Sequence, residues 1–437
     1  MKNTPIPAKI VDKIVAESGI PSVGKASIRE VKRLINEIEK VSGKEFVRME
    51  MGIPGLPACH VGVEAQIKAL QNGVAALYPD IEGIPELKKE AARFVKNFID
   101  LDVNPENCIP TVGSMMGGMA GFMTFVRCRK ERDTTLFIDP GFPVQKQQHR
   151  VMGLKYETFD VYNFRGQKLR AKLESYLEKG NIHSIMYSNP NNPSWICFTE
   201  EELQIIGEVA NKYDVFVFED LAYFGMDFRQ DISKPGVAPY QPSVGKYTDN
   251  FALLISGSKA FSYAGERIAL MVMSPKLYNR EFDDLEPYFK MKKLGRAIIY
   301  GTVYAISSGV SHSAQYAMAA ILKACNDGTY NYIDDVKEYG EKAAIMKKMF
   351  TDNGFVIVYD KDGDKDLADG FYFTVAYPGM SSEELLAEFL YYGVSAISLG
   401  TCGSERTEGL RACVSLTPRS QFPMLEERLK MFNENHK

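Results

Sequence analysis

From about residue 60 to residue 325 the chain alternates helical patterns with short, continuous apolar runs of strand length. That alternation restricts the fold to α/β with a mainly parallel sheet, because strands apolar on both faces must be covered on both sides. The runs lie at 107–111, Thr134–Asp139, Ile182–Ser188, 215–220, Phe251–Ser256 and Ile268–Met273. Too few residues separate Ser258 from the last run for a parallel crossover, which needs a dozen or more. That run is therefore expected to be antiparallel to its predecessor, with Arg267 at the same sheet edge as Lys259.

In open α/β sheets ligands bind beyond the carboxyl ends of the strands. The first run leads into Val112-Gly113-Ser114-Met115, which opens an apolar helical stretch. The second leads into Pro140-Gly141-Phe142-Pro143, and the third into Asn189-Pro190-Asn191-Asn192-Pro193. The fourth ends at Asp220, followed by Leu221-Ala222-Tyr223. The fifth ends in Ser256-Gly257-Ser258-Lys259. Each end carries a polar, aromatic or glycine-rich signal.

A lysine at the exit of a buried strand is costly as structure and useful as chemistry. Partial burial lowers an ammonium pKa and frees the amine to form an imine with a carbonyl. Gly113-Ser114-Met115 at a strand-to-helix junction offers backbone N–H groups and the positive end of a helix dipole, a ready anion site. Arg267, Ser256 and Ser258 can add donors to the same anion. Asp220 ends a strand of Val and Phe, where a charge is expensive unless paired. Taken singly, each has a plainer reading. Lys259 is also a surface lysine after a strand, Gly113 a turn, and Asp220 a helix cap. Asn192 suits a Pro-bracketed turn, and Tyr223 and Phe142 suit packing.

The rest of the chain narrows the class. Its 437 residues and formal charge of −4 suit one large and one smaller domain, without a basic block for nucleic acid. No apolar stretch approaches a membrane-helix length, and no apolar segment follows Met1 to Pro5, so neither a membrane span nor a signal peptide is expected. Seven cysteines, at 59, 108, 128, 197, 325, 402 and 413, form no C-x-x-C pair. With five scattered histidines they predict a reduced cytoplasmic protein without a disulfide framework or a metal site. Residues 1–50 read as helical, with apolar positions at helical spacing over 28–40. Residues 229–249, rich in Pro, Gly, Gln and Ser, read as a surface excursion. Beyond it, 330–349 reads as one long helix, followed by a strand at 370–376, a helix at 381–391 and a strand at 410–416.

Taken together the motifs resemble the class I/II pyridoxal-phosphate aminotransferases of fold type I. The resemblance runs from about Arg48 to the C-terminus. It rests on N-P at 189–193, D-x-A-Y at 220–223 and S-x-S-K-x7-R at 256–267, in that order, with Gly-Ser near 113 and an arginine near the C-terminus. It implies a large domain at 51–328 with a mainly parallel seven-stranded sheet and a smaller α+β domain at 329–437. The segment 1–50 then contributes to the small domain and to dimer contacts.

The same resemblance assigns roles. Lys259 is the counterpart of the lysine that holds pyridoxal 5′-phosphate as an internal aldimine and moves the substrate proton. Asp220 matches the carboxylate that pairs with the ring nitrogen, and Tyr223 and Asn192 the partners of the ring oxygen. Phe142 stands where an aromatic stacks on the ring. Gly113, Ser114, Met115, Ser256, Ser258 and Arg267 match the phosphate cradle. Tyr78 matches a tyrosine that reaches the phosphate of a neighbouring subunit, which implies a homodimer with shared sites, and Ser308 is a further residue of that kind. Arg411 matches the arginine for the substrate α-carboxylate, where a planar fork suits a bidentate pair. Gly52 matches a glycine that lets the backbone approach the same carboxylate, with Asn192 beside it.

Two departures stand out. The usual N-P-[ST]-G reads Asn192-Pro193-Ser194-Trp195 here, so the chain's one tryptophan replaces a glycine. It either packs beneath the site or narrows it, and packing is favoured because buried tryptophans are mostly core. An arginine that aspartate-specific members carry before Ser308 falls on Tyr304 instead, which argues against a dicarboxylate substrate unless Arg296 or Arg406 substitutes. The leading expectation is a ping-pong exchange between an L-amino acid and a 2-oxo acid. A carbon–sulfur β-lyase of the same fold uses the same Lys, Asp and Arg. A non-enzymatic effector module is disfavoured, since neither end carries a basic helix-turn-helix segment.

Overall fold

The computed structural model describes residues 4–437. Residues 1–3 of the N-terminal segment, where the signal-peptide reading begins, lie outside the described residues. The chain forms two units. The larger comprises Leu56–Pro190 and Cys197–Val336, and the smaller comprises residues 4–55, Asn191–Ile196 and Lys337–Lys437.

The larger unit is built on a seven-stranded sheet: β1 (Cys108–Val112), β2 (Thr134–Asp139), β3 (Lys155–Asp160), β4 (Ile182–Ser188), β5 (Phe216–Leu221), β6 (Phe251–Ser256) and β7 (Ile268–Met273). Their order is β1-β7-β6-β5-β4-β2-β3. Every neighbouring pair is parallel except those made by β7, which is antiparallel to both β6 and β1. The short link before β7 predicted this. It also carries the start of β7 to the edge where β6 and β1 end, with Ser256 opposite Ala269 and Val112 opposite Ile268.

Strands β2, β4, β5, β6 and β7 are buried along their whole length. Fully burying one Leu, Ile or Phe side chain contributes about 1.5–3 kcal/mol, so these runs anchor the sheet. Strand β3 is not among the apolar runs of the sequence. Its Lys-Tyr-Glu-Thr-Phe-Asp segment is exposed at its start and buried only at its end, because it closes the sheet with one neighbour, β2. An edge strand needs no continuous apolar run.

Two helices follow strand ends directly. Helix α1 (Gly113–Phe125) continues from β1 and is largely buried. Helix α2 (Pro143–Met152) starts four residues after β2, with Pro143 in its first turn and Phe142 as its N-cap residue; proline suits that position because its missing N–H has no helical partner there. Its inner face buries Gln145, Lys146 and His149. Lys146 forms an ion pair with Asp139 at 2.5 Å, and His149 bonds the Gln145 carbonyl oxygen at 2.9 Å and Thr135 Oγ1 at 2.8 Å. A buried charge and a buried imidazole are tolerated because each is partnered.

The smaller unit has a four-stranded antiparallel sheet of β8 (Val356–Ile357), β9 (Tyr372–Ala376), β10 (Ile397–Ser398) and β11 (Leu410–Cys413), in the order β10-β11-β9-β8. Helices α3 (Glu338–Asp352), α4 (Ser382–Tyr392) and α5 (Phe422–His436) belong to it. A cluster of Phe350, Phe355, Phe389 and Phe432 fills its core, with ring centroids 5.1 to 6.4 Å apart. Helix α4 starts on a reciprocal cap: Ser381 Oγ accepts from the Glu384 N–H and the Glu384 carboxylate accepts from the Ser381 N–H. The long helix read at 330–349 is two pieces, Tyr332–Val336 and α3, interrupted at Lys337 where the chain passes from one unit to the other. Apolar periodicity continues across the interruption, so it leaves no trace in the sequence.

No helix among the described residues is long and apolar enough to cross a membrane. All seven cysteines are buried and free of disulfides. The described residues contain no group of three or more His, Cys, Asp or Glu that could hold a metal ion.

Candidate active site

The larger unit gathers most of the strand-end residues. Asp220 is 5% exposed near the end of β5. One carboxylate oxygen accepts from the Ala222 N–H at 3.1 Å and the other from Gln145 Nε2 at 3.0 Å. Burial pushes its pKa up to about 6, against the pull of these two donors. Glu219 beside it is fully buried and pushed up to about 7 by burial, although Ser243 Oγ and the Val244 N–H donate to its carboxylate. Tyr223 is buried in the turn that follows.

Lys259 sits in the one-turn helix Gly257–Ala260 after β6, half-buried. Ser256 Oγ caps that turn by accepting from the Ser258 N–H at 3.1 Å, so both serines of the motif shape the lysine's turn. Arg267 adopts the left-handed region, with φ at 52°, just before β7. Its Nη1 donates to the Ala264 carbonyl at 2.7 Å, and its Nη2 lies against Gly113, where a Cβ would sit 2.5 Å from it. Gly113 also has φ at +67°, so both its backbone and this close approach require glycine. Ser114 Oγ, next in the chain, is buried with no hydrogen-bond partner among the described residues. The N-terminus of α1, this hydroxyl and the guanidinium therefore form one cradle of donors. Met115 is held from α2, where Gln148 Nε2 donates to its carbonyl at 2.7 Å, and Phe142 begins the same helix.

Tyr78 is 92% exposed. With Ser308, Lys88, Lys89 and Tyr300 it lines an open cavity of about 1050 Å³. Tyr304 is also exposed, and Arg296 lies over the Tyr300 ring at 4.9 Å.

The smaller unit holds the other set, Gly52, Asn192 and Arg411. Arg411, on β11, is 1% exposed. Its Nη1 donates to Asn192 Oδ1 at 3.3 Å and its Nη2 to the Glu50 carbonyl at 2.5 Å. Its guanidinium lies 4.7 Å from the Tyr372 ring centroid. Sheet register explains the last contact. Arg411 is opposite Thr374 and Tyr372 is opposite Cys413, so Tyr372 is a diagonal neighbour of Arg411 on the same face. Gly52 lies against the same tyrosine, since a Cβ there would be 2.0 Å from its hydroxyl oxygen. Arg406 pairs with Glu408 through two nitrogens.

Two residues of this arrangement escaped the sequence reading. Gln145 is a lone amide in a helix, and Tyr372 is a strand aromatic. Neither type carries a signal until register and packing give it a neighbour.

The family model for "Aminotransferase class I and II" matches residues 45–422. A probable aspartate aminotransferase of Methanocaldococcus jannaschii is 25% identical over 72% of this chain and 85% of its own length. An aspartate aminotransferase of Pyrococcus horikoshii is 22% identical over 89% of both chains. In fold, the chain is similar to the alanine aminotransferase of Pyrococcus furiosus, with a TM-score of 0.74 and 20% identity over 93% of this chain and 97% of that one. With its strand-end motifs on a fold type I sheet and the family model matching most of its length, the chain belongs to the class I and II aminotransferases, enzymes that depend on pyridoxal 5′-phosphate.

Proposed function

We propose that this aminotransferase moves an amino group from an L-amino acid to a 2-oxo acid in a ping-pong exchange, with Lys259 as the cofactor-bearing lysine. The observation that carries the reading is the cradle of Gly113, Ser114 and Arg267. A buried hydroxyl without a partner, helix N–H groups and a guanidinium against a bare glycine suit a phosphate, and they lie at the sheet edge that carries Lys259. The residues present therefore fit pyridoxal 5′-phosphate. When bound, that group supplies an electron sink for the pair left on the substrate α-carbon.

The chain's own residues do the rest. Gly113, Ser114, Met115, Ser256, Ser258 and Arg267 would hold the phosphate, and Phe142 would lie against the ring. The Asp220 carboxylate, to which Gln145 and the Ala222 N–H donate, would keep the ring nitrogen protonated. Tyr223 and Asn192 would serve the ring oxygen. Lys259 Nζ takes the proton from the substrate α-carbon. Arg411 grips the α-carboxylate as a fork, which fixes the α-carbon–hydrogen bond, and Gly52 leaves room for it. Tyr78 serves the site of a second copy, so the working form is a homodimer, and its seven free cysteines suit the cytoplasm. The working division is a cofactor domain at 51–328, a small domain at 329–437, and the segment 1–50 joining the small domain.

Arg411→Ala raises the KM for amino donors about 10- to 100-fold, the scale of a lost charge-assisted pair, with a smaller change in kcat. Steady-state kinetics with one donor and one acceptor check this, and an unchanged KM moves the carboxylate site elsewhere. The reading as a whole is tested by the visible spectrum of the cofactor-loaded protein during titration with a panel of amino acids. Conversion of the bound cofactor to its aminated form, reversed by a 2-oxo acid, is the expected result. Ammonia or pyruvate released with no such conversion makes the protein a lyase instead.

A further inference from the structure

We infer that Trp195 is a positioning residue for Arg411, acting through Tyr372. The inference rests on Arg411 taking the substrate carboxylate. Trp195 has φ at 65°, a region that bulky side chains rarely adopt. The turn is closed by its own hydrogen bonds: Trp195 N–H to the Asn191 carbonyl at 2.9 Å, Asn191 N–H to the Ile196 carbonyl at 2.9 Å, and Ser194 Oγ to Asn191 Oδ1 at 2.7 Å. The side chain is 1% exposed and meets the Tyr372 ring edge-on, with centroids 6.1 Å apart and planes at 66°. Room for the indole comes from Gly370, two residues before Tyr372, where a Cβ would lie 2.1 Å from the indole ring.

The tyrosine so braced is the one whose face carries the Arg411 guanidinium. The same six-residue turn also supplies Asn192, which accepts from Arg411 Nη1. Arg411 is thus set by one short segment in two ways, directly through Asn192 and through the Trp195–Tyr372 column. A packing role alone asks only for apolar volume. Here the indole is accommodated by a left-handed backbone at 195 and a bare backbone at 370 together, and it abuts the tyrosine whose ring face holds a buried cation.

Trp195 is the only tryptophan in the chain, so fluorescence excited at the red edge, where tyrosine does not absorb, reports on this column alone. In the cofactor-loaded protein, propionate is expected to shift Trp195 emission saturably, while propionamide, which lacks the charge, does not. The shift is lost in Arg411→Ala. In kinetics, Trp195→Gly raises the KM for amino donors about tenfold, with kcat changed less than about threefold, and Trp195→Phe recovers part of the loss because a ring still abuts Tyr372. Gly370→Ala keeps the reporter, pushes on the indole and weakens the propionate response in the same direction, which carries the test if Trp195→Gly does not fold.

A folded, cofactor-bound Trp195→Gly with wild-type KM overturns the inference while Arg411→Ala still raises KM. A wild-type emission indifferent to propionate also overturns it. If Arg411→Ala itself leaves KM unchanged, the carboxylate assignment falls and this inference falls with it.

Discussion

Lys259→Ala lowers turnover by about ten-thousand-fold or more, because on the proposed function one substitution removes both the amine that tethers the cofactor and the base that moves the substrate proton. Lys259 ends a motif whose two serines make the turn that presents it, with Ser256 capping Ser258, so the variant keeps the surrounding fold. Circular dichroism should stay near wild type, and the cofactor should bind more weakly but still through its phosphate, while steady-state turnover disappears. Borohydride reduction of the loaded wild type, followed by peptide mapping, fixes the cofactor to the peptide containing Lys259 and to no peptide of the variant. Normal transamination by Lys259→Ala would falsify the assignment of this lysine.

Asp220→Ala costs about 100- to 1000-fold in kcat, the scale of deleting a preorganised electrostatic partner from a site that excludes water. Asp220→Asn keeps the shape and removes the charge, and the same loss is expected from it. A second readout uses the cofactor-free protein. Burial raises the Asp220 pKa from its ordinary 3.8 to about 6, so between those values the folded state binds more protons than the unfolded state. Stability therefore falls as the pH rises through that window, by about 3 kcal/mol for this one group. Asp139 and Glu219, also pushed up by burial to about 6 and about 7, titrate nearby. The informative quantity is therefore the difference between wild type and Asp220→Asn in chemical denaturation from about pH 4 to about pH 7. Identical pH profiles would show that Asp220 ionises in the fold as easily as in water.

Burial therefore disfavours the Asp220 carboxylate unless a positive group joins it. The Gln145 amide aims Asp220 through a hydrogen bond at 3.0 Å and adds no charge of its own. On the proposed function, the cofactor ring would bring the opposite charge.

The chain's local signals determined much of this protein. Strand-length apolar runs located six of the seven strands of the main sheet, because buried parallel strands must be apolar on both faces. The short link before Ile268 determined that β7 turns back, since chain length alone forbids a parallel crossover. That in turn placed Arg267 and Lys259 at one edge. The order of motifs at 189–193, 220–223 and 256–267 determined the family, because each requires particular residue types at fixed local spacing.

Tertiary structure decided what no local signal encodes. Edge position made a strand of Lys155–Asp160, whose residues need only one sheet neighbour. A change of unit at Lys337 divided a helix whose apolar spacing is continuous. Packing of α2 brought Gln145 to Asp220, and sheet register brought Tyr372 beneath Arg411. Trp195 shows the division most clearly. The sequence marks it as a departure from glycine, and only the fold shows that the bare backbone of Gly370 makes room for its ring and that the ring rests against the tyrosine beside Arg411. Such pairings join residues up to hundreds of positions apart, and contact between them is set by the three-dimensional path of the backbone rather than by any run of neighbouring side chains.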